Sequence, residues 1–182
     1  MKEKYITLPI DNKTLKGLKS GDFVYITGTL YTMRDAAHKR IIEAINKNKP
    51  VPFDLKNASI YYTGPTPAPL KNITFGAAGP TTSDRMDKYT EELLKQGVKI
   101  LIGKGKRSKG IRKAIKKYKA IYLATIGGAG TYLAEKIKSS KIIAYKDLGT
   151  EAIRKIYVEK FPCIIINDIY GNDFYEKQQS VF

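Results

Sequence analysis

The pattern of apolar and polar residues divides the chain into a strand-rich first third and a later part in which strands and helices alternate. Short apolar or alternating runs predict strands at residues 4–9, 23–32, 58–63, 72–78, 98–102, 120–125, 141–145 and 163–168. Apolar residues three and four positions apart predict helices at 34–46, 84–96, 108–118, 131–139 and 151–161, with a turn and a short helix within 11–21. This order predicts an α/β fold with a mixed sheet, or two sheets with helices outside.

Length and composition predict one domain that spans residues 1–182. With 182 residues, 42% apolar content, 13 tyrosines and six phenylalanines, the chain can build one substantial core. It contains no apolar run near the roughly 20 residues that cross a bilayer, and its charged N-terminal segment lacks the apolar core of a signal peptide. We therefore expect a soluble cytoplasmic protein with no membrane partner.

The chain has a single cysteine, Cys163, and a single histidine, His38. Cys163 stands in an apolar run and is expected to be a small buried residue. One cysteine cannot form an internal disulfide, and it cannot supply the three or four thiolates of a zinc or iron–sulfur site. We therefore expect no metal site built from this chain's own soft ligands.

The formal net charge of +16 points to an anionic partner, which could be nucleic acid, an acidic protein surface or an anionic substrate. A solvated lysine coat explains the charge equally well, because 27 of the cationic residues are lysines and only six are arginines. Because this chain uses lysine for most of its positive charge, each arginine is a candidate for binding a carboxylate. The forked guanidinium group suits a carboxylate better than a lysine ammonium group does. Four arginines lie in or beside segments containing Gly, Thr or His, which favours a small carboxylate over nucleic acid: Arg34, Arg40, Arg85 and Arg107.

The stretch Gly-Pro-Thr-Thr-Ser-Asp-Arg-Met-Asp at 79–87 lies between a predicted strand and a predicted helix. It places two hydroxyls, a helix N-terminus and an arginine in one turn, which suits a carboxylate or a phosphate. The alternative is an ordinary helix cap with a solvated arginine, because Ser, Thr and Asp are common there for local reasons.

Three other segments carry candidate chemistry, each with a structural alternative. Arg34 and His38 are four residues apart on one helix face, where His38 suits an acid/base role or is one residue of a charged surface helix. The loops 103–110 and 125–131 each join a predicted strand to a predicted helix, where anions bind in open α/β sheets. Their glycine spacing matches neither a P-loop nor a dinucleotide fingerprint.

Several motifs in a fixed order resemble one enzyme family over about residues 20–175. They are Gly21-Asp22, Gly28-Thr29, Arg34-Asp35-Ala36-Ala37-His38-Lys39-Arg40, Tyr62-Thr63-Gly64-Pro65, the stretch at 79–87, Lys104-Gly105, Gly127-Gly128 and Gly171-Asn172-Asp173-Phe174. The family is the iron–sulfur (class I) fumarate hydratases, in their β subunit or C-terminal domain, which is shared with L-tartrate dehydratase. The resemblance implies a swivelling β/β/α three-layer domain.

The resemblance also implies reversible hydration of fumarate to (S)-malate at a [4Fe–4S] cluster. In two-subunit members an α subunit carries the cluster cysteines, which agrees with the single cysteine here. This chain would then be half of a shared active site, inactive alone and without iron, in a hetero-oligomer for which α2β2 is plausible.

The resemblance assigns roles to individual residues of this chain. Thr81 corresponds to the residue that abstracts the proton, with help from a carboxylate of the partner, because a threonine hydroxyl is a very weak base. Thr82 corresponds to a hydrogen-bond donor to the substrate. Arg34 and Arg85 correspond to clamps for the substrate carboxylates, and Lys104 to a further cation.

Other positions match the family pattern less completely. Gly28 is expected to bring backbone close to the substrate. Asp35 and His38 match the motif without an assigned role. Lys106 and Arg107 replace the asparagine-bearing loop that is common in the family, which leaves open which cation of loop 103–110 contacts the substrate.

Two alternatives remain. The same motifs fit a dehydratase of L-tartrate or another hydroxy-diacid, because they recognise the shared dicarboxylate frame. A basic nucleic-acid-binding module is more remote; its best surface would be the helix predicted at 108–118. That reading gives no reason for two threonines beside Arg85.

Overall fold

The computed structural model describes residues 3–68 and 74–179. The strands within them are β1 (Glu3–Thr7), β2 (Phe23–Thr32), β3 (Ser59–Tyr61), β4 (Ile100–Gly103), β5 (Ile121–Ala124), β6 (Ile137–Ala144) and β7 (Ile153–Asn167). The helices are α1 (Asn12–Lys16), α2 (Asp35–Asn46), α3 (Asp87–Lys95), α4 (Lys109–Lys117), α5 (Gly130–Glu135) and α6 (Phe174–Gln179). Two 3-10 helices, Asp84–Met86 and Lys146–Glu151, precede α3 and β7.

All of these strands belong to one mixed sheet, which confirms the α/β prediction with a mixed sheet and excludes the version with two separate sheets. Strands β1 to β5 pair in parallel in chain order. Strand β7 runs antiparallel to β5, β6 and β2. The β2–β7 pairing closes a ring of five strands, β2, β3, β4, β5 and β7, with β1 and β6 at its flanks.

The helix predicted at 151–161 is wrong, because residues 153–161 form the first part of β7, the longest strand described. Its buried apolar residues are Ile153, Ile156, Val158 and Phe161, whose spacing of three, two and three residues imitates a helix face. The last of these intervals arises from a bulge: Ile26 and Gly28 of β2 oppose Phe161 and Val158, so β7 carries one extra residue there. Lys160, in the bulge, has φ 48°.

Two further predictions need correction. The helix predicted at 131–139 ends at Glu135, and the chain enters β6 at Ile137. The strand predicted at 72–78 begins on residues 72 and 73, which lie outside the described residues, while 74–78 forms no strand. Its small residues instead use their backbone for contacts between loops, since Ala78 N donates to Gly130 O at 2.9 Å and Ala77 N donates to Thr66 Oγ1 at 2.8 Å.

Two apolar cores lie on the two faces of the strands. Alternate residues of β4 show the division, because Ile100 and Ile102 join one core and Leu101 joins the other. The first core is enclosed by the ring. The second lies under α2, α3 and α4, which supply these buried residues: Ala37, Ile41, Leu93, Leu94, Ile111 and Ile115. The helices therefore fix the outer face of the ring, and the segments that follow its strands are left at one edge.

Candidate active site at the carboxyl ends of the parallel strands

The motif residues follow the carboxyl ends of four parallel strands. Arg34 follows β2, Thr63 and Gly64 follow β3, Lys104 follows β4, and the glycine-rich segment 127–130 follows β5. Because these strands pair in parallel, their carboxyl ends meet at one edge of the sheet, where α/β proteins bind ligands. Segments separated by up to about a hundred residues therefore converge.

The stretch 79–87 is held across this edge by backbone hydrogen bonds. Thr81 N donates to Tyr62 O at 2.7 Å, after β3, and Ser83 N donates to Lys104 O at 2.9 Å, after β4. Thr82 forms a parallel bridge with Lys104. Thr81 is half-buried and Thr82 is exposed, and neither hydroxyl makes a hydrogen bond to any described residue. Both hydroxyls are free to bind a ligand.

The buried side chain of Ser83 locks this stretch onto β4. Lys104 N donates to Ser83 Oγ at 3.1 Å, and the Tyr122 hydroxyl lies 2.9 Å from the same oxygen. A Cβ on Gly103 would lie only 2.0 Å from Ser83 Oγ, so a glycine is required at this point of β4. Ser83 thus sets the position of the threonines that precede it and the arginine that follows it.

Two arginines stand at the edge with most of their N–H groups unused. Arg85 is about half exposed, and its Nε donates to Asp35 Oδ1 at 3.1 Å, which leaves both terminal nitrogens without a hydrogen bond to the described residues. Arg34 Nη2 lies 3.5 Å from Glu151 Oε1 and 3.9 Å from Asp35 Oδ2, but no N–H of Arg34 donates a hydrogen bond within the described residues. Each guanidinium can therefore still bind a carboxylate through two hydrogen bonds.

Glycines let the surrounding segments approach these cations. A Cβ on Gly64 would lie 3.0 Å from Arg34 Nη1 and Cδ, and one on Gly127 would lie 3.8 Å from Lys104 Cδ. Gly130 would meet the backbone N of Gly79 at 3.2 Å. Lys104 is exposed and forms no ion pair with any described residue. Gly64 and Gly130 therefore allow close packing beside the site, whereas a Cβ at Gly127 would make only an ordinary contact.

The chain matches the family model described as Fumarase C-terminus over residues 2–178. The chain belongs to the Fumarase C-terminus family. This finding confirms the resemblance that the ordered motifs indicate.

Relatives of the family differ in how much of their length corresponds to this chain. It is 41% identical over 154 residues to "Fumarate hydratase 1, mitochondrial" of Leishmania major, which covers 84% of this chain and 28% of that protein. It is 37% identical over 179 residues to "Putative L(+)-tartrate dehydratase subunit beta" of Methanocaldococcus jannaschii, covering 96% and 92%. It is 32% identical over 184 residues to "L(+)-tartrate dehydratase subunit beta" of Escherichia coli K12, covering 99% and 90%. The chain thus spans less than a third of the fumarate hydratase and nearly all of each dehydratase subunit.

The family motif residue Gly28 lies away from this edge. It stands within β2, opposite Val158, and has φ 136°. A Cβ there would lie 2.7 Å from Leu8 Cβ, so the absent side chain makes room for the segment after β1. The three atoms nearest its Cβ position all belong to Leu8, which gives Gly28 a packing role.

The family motif residue His38 lies behind the site. Its side chain is fully buried, and its ring contacts Tyr62 and Tyr89 with centroid distances of 5.3 and 5.9 Å. Nδ1–H donates to Arg34 O at 2.8 Å. Burial, aided by the charge of Arg107, lowers the pKa of His38 to about 4, so the ring is neutral near pH 7. His38 therefore supports the backbone of Arg34 from inside the fold.

Arg107 of this Fumarase C-terminus chain is a buried structural residue. Its Nε donates to Asp87 Oδ1 at 2.6 Å, its Nη2 donates to Thr90 Oγ1 at 2.7 Å, and its guanidinium lies over the rings of Tyr62 and Tyr122. Burial alone would lower the pKa of Arg107, but the neighbouring Tyr62 and Asp87 outweigh it and raise that pKa. Arg107 thus anchors loop 103–110 to α3 and leaves Lys104 as the cation of this loop that directly follows β4.

Sequence reasoning missed Glu151. Its Oε2 accepts the Ala36 N–H at 2.9 Å, which supplies the cap that Arg34 does not give to α2, and its Oε1 lies beside Arg34. The residue was assigned to a predicted helix, and its contacts join positions 115 residues apart along the chain. No local sequence signal marks such a contact.

The described residues offer no ligand set for a metal centre. No group of three or more His, Cys, Asp or Glu side chains among them is arranged to hold a metal ion. Cys163 is buried, and burial raises the pKa of its thiol. Within the same residues, no helix is long and apolar enough to cross a membrane.

Proposed function

We propose that this chain is the β subunit of a two-subunit hydro-lyase that hydrates fumarate reversibly to (S)-malate. The observation that carries the proposal is the set of polar and cationic side chains at the carboxyl ends of the parallel strands. Thr81, Thr82, Arg34, Arg85 and Lys104 come from three separate segments, and the hydroxyls, the guanidinium forks and the ammonium group there are free of hydrogen bonds to the described residues, apart from Arg85 Nε. Such a set suits a small, doubly negative substrate.

The proposed binding mode uses the arginines as carboxylate clamps. Among the described residues, Asp35 is the one side chain that pairs with both Arg34 and Arg85, and we propose that each arginine receives one end of a four-carbon dicarboxylate. Lys104 adds a flexible point charge beside Thr82. Neutralising both carboxylates favours loss of a proton from the carbon next to one of them, because the charge that develops is stabilised in place.

In the dehydration direction, that carbon loses its proton and the neighbouring carbon loses the hydroxyl group, so that water is released. Thr81 is proposed to receive the proton and Thr82 to donate a hydrogen bond to the substrate. A threonine hydroxyl is a weak base, so Thr81 needs an adjacent carboxylate to pass the proton on. No described carboxylate contacts the Thr81 hydroxyl, and we assign that base to the partner subunit.

The proposal therefore includes an α subunit that covers this edge, in an α2β2 hetero-oligomer. Relatives named as β subunits match the chain over about nine-tenths of their length, whereas the fumarate hydratase match covers 28% of that protein. The proposed [4Fe–4S] cluster also belongs to the partner, because the residues described here do not fit a cluster site. The closed ring with helices on its outer face supports assignment to the swivelling three-layer type.

L-Tartrate dehydration is the second candidate. The extent of the sequence match favours tartrate dehydration, because the chain matches both tartrate dehydratase β subunits over nearly their whole length. The identity of 41% to the fumarate hydratase favours fumarate. Both substrates present two carboxylates to the same cations.

The test is turnover by the assembled enzyme. The chain is co-expressed with its α subunit, purified and assayed without oxygen, and the consumption of fumarate and of L-tartrate is followed separately. Fumarate hydration supports the proposal. Turnover of tartrate alone reverses the order of the two candidates, and turnover of neither diacid contradicts both. The chain assayed alone is expected to be inactive.

A further inference from the structure

Asp35 lies between the two candidate carboxylate clamps. Its Oδ1 accepts the Nε–H of Arg85 at 3.1 Å, and its Oδ2 lies 3.9 Å from Arg34 Nη2. Asp35 Oδ2 and Arg34 Nε are both buried without a hydrogen-bond partner among the described residues. Within the described part of the chain, Asp35 is the one carboxylate that contacts both arginines.

The contact with Arg85 determines which part of the guanidinium remains available. Because Asp35 takes the Nε–H, the two terminal nitrogens stay free for a ligand. Arg85 is about half exposed, so without this contact its side chain would sample many rotamers and lose that freedom on binding. Asp35 removes part of this entropy loss before the ligand arrives.

Glu151 restrains Arg34 in a corresponding way. It lies 3.5 Å from Arg34 Nη2 and accepts the Ala36 N–H, so it is itself fixed to the start of α2. Neither carboxylate takes a hydrogen bond from Arg34. The two acids therefore hold the guanidinium by charge and leave its donors free.

We infer that Asp35 is a positioning residue for the dicarboxylate site, which orients the free fork of Arg85 and holds Arg34 at the same time. The inference rests on the proposed function and gives a role to a motif residue that touches no substrate itself.

The direction in which substrate affinity changes on removal of the Asp35 charge distinguishes a positioning role from simple charge repulsion. A carboxylate beside a doubly negative substrate repels it, so removal of the Asp35 charge would by electrostatics alone tighten binding. A positioning role predicts the opposite, because the loss of the oriented fork weakens binding. The two accounts therefore differ in direction.

The kinetic experiment uses the assembled enzyme with Asp35→Asn. The expected result is a KM for the diacid raised by about tenfold, because a charge-assisted hydrogen bond to Arg85 becomes a weaker neutral one, with kcat changed by less than about threefold. The matched control is Asp147→Asn, which removes a carboxylate bonded twice to Arg40 of α2. That variant is expected to change KM by less than about twofold. A KM for Asp35→Asn that is unchanged or lower, or an equal rise in the control, overturns the inference.

A double-mutant cycle tests whether Asp35 acts through Arg85. In an Arg85→Ala background, Asp35→Asn is expected to raise KM by no more than about threefold further, because the fork that it orients is absent. A second tenfold rise would mean that the two residues act independently, and that result excludes positioning of Arg85.

A measurement that does not depend on enzymatic activity tests the role of Asp35 separately from the proposed function. The Arg85 Nε–H is followed by NMR in the complex and assigned with Arg85→Lys. We expect it to exchange with water about tenfold faster in Asp35→Ala, which leaves no acceptor, and unchanged in Asp147→Asn. Equal exchange in wild type and Asp35→Ala contradicts the contact. If the wild type turns over neither diacid, the proposed function falls while this measurement still decides the positioning role.

Discussion

Ser83 Oγ occupies the space that a side chain on Gly103 would need, because a Cβ there would lie 2.0 Å from that oxygen. The same oxygen accepts the Lys104 N–H and lies beside the Tyr122 hydroxyl. The close approach of these two residues brings the threonine stretch against the end of β4. The position of the candidate catalytic hydroxyl thus depends on a residue that has no side chain.

Gly103→Ala is expected to destabilise the chain by about 1–3 kcal/mol, because the added methyl group must displace buried Ser83. The measurement is the free energy of unfolding in urea. Gly110→Ala is the matched control: a Cβ at Gly110 meets no atom within 4 Å and the residue lies within α4, so this change is expected to be neutral or stabilising. Equal stability of Gly103→Ala and wild type would contradict the packing described.

Arg107→Ala is expected to lower the free energy of unfolding by about 3–5 kcal/mol, because it leaves buried hydrogen-bond partners and the Asp87 carboxylate unpaired. Arg40→Ala removes an arginine from a solvent-exposed pair with Asp147 and is expected to cost about 1 kcal/mol or less. Urea unfolding of both variants checks the difference. A similar decrease in the free energy of unfolding in both variants would contradict the stabilising role of the buried Arg107 contacts.

His38 makes stability dependent on pH on the acid side. Its pKa is about 4 in the folded chain and about 6.5 when unfolded, so between these values the unfolded chain binds a proton that the folded chain does not. Its contribution is therefore fully present above pH 6.5 and is lost as pH falls toward 4. The full loss is about 3 kcal/mol.

The variant His38→Asn isolates this effect, because asparagine keeps an N–H donor for Arg34 O but does not titrate. The free energy of unfolding of wild type minus that of the variant is expected to fall as pH is lowered from 7 to 4. A difference that stays constant over this range would show that the histidine is not buried in its neutral form.

Local patterns predicted the elements that build the site edge. The bounds of β2 match the prediction at both ends, and α2 and α4 match within a residue at each end. The sequence placed loops 103–110 and 125–131 after predicted strands, and their convergence with Arg34 depends on the parallel pairing that the structure shows. The helix predicted in place of the first part of β7 failed because the bulge at Lys160 resets the alternation of buried residues.

Contacts between distant segments were not predictable from local patterns. In the sequence Arg107 is one of several cations of loop 103–110, and its burial depends on Asp87, Thr90 and Tyr62, which come from other elements. Gly28 matched a motif, but the structure shows that its missing side chain accommodates Leu8. Such packing partners are set by the fold.

The central claim is that Thr81 handles the substrate proton, and Thr81→Ala in the anaerobically assembled enzyme tests it most directly. The expected result is a fall in kcat of about 10²–10⁴-fold, with unchanged association with the α subunit, because only the proton-transfer group is lost. Thr7→Ala, an exposed threonine of β1, is the control and is expected to keep the wild-type kcat. A Thr81→Ala enzyme with wild-type kcat would contradict the account.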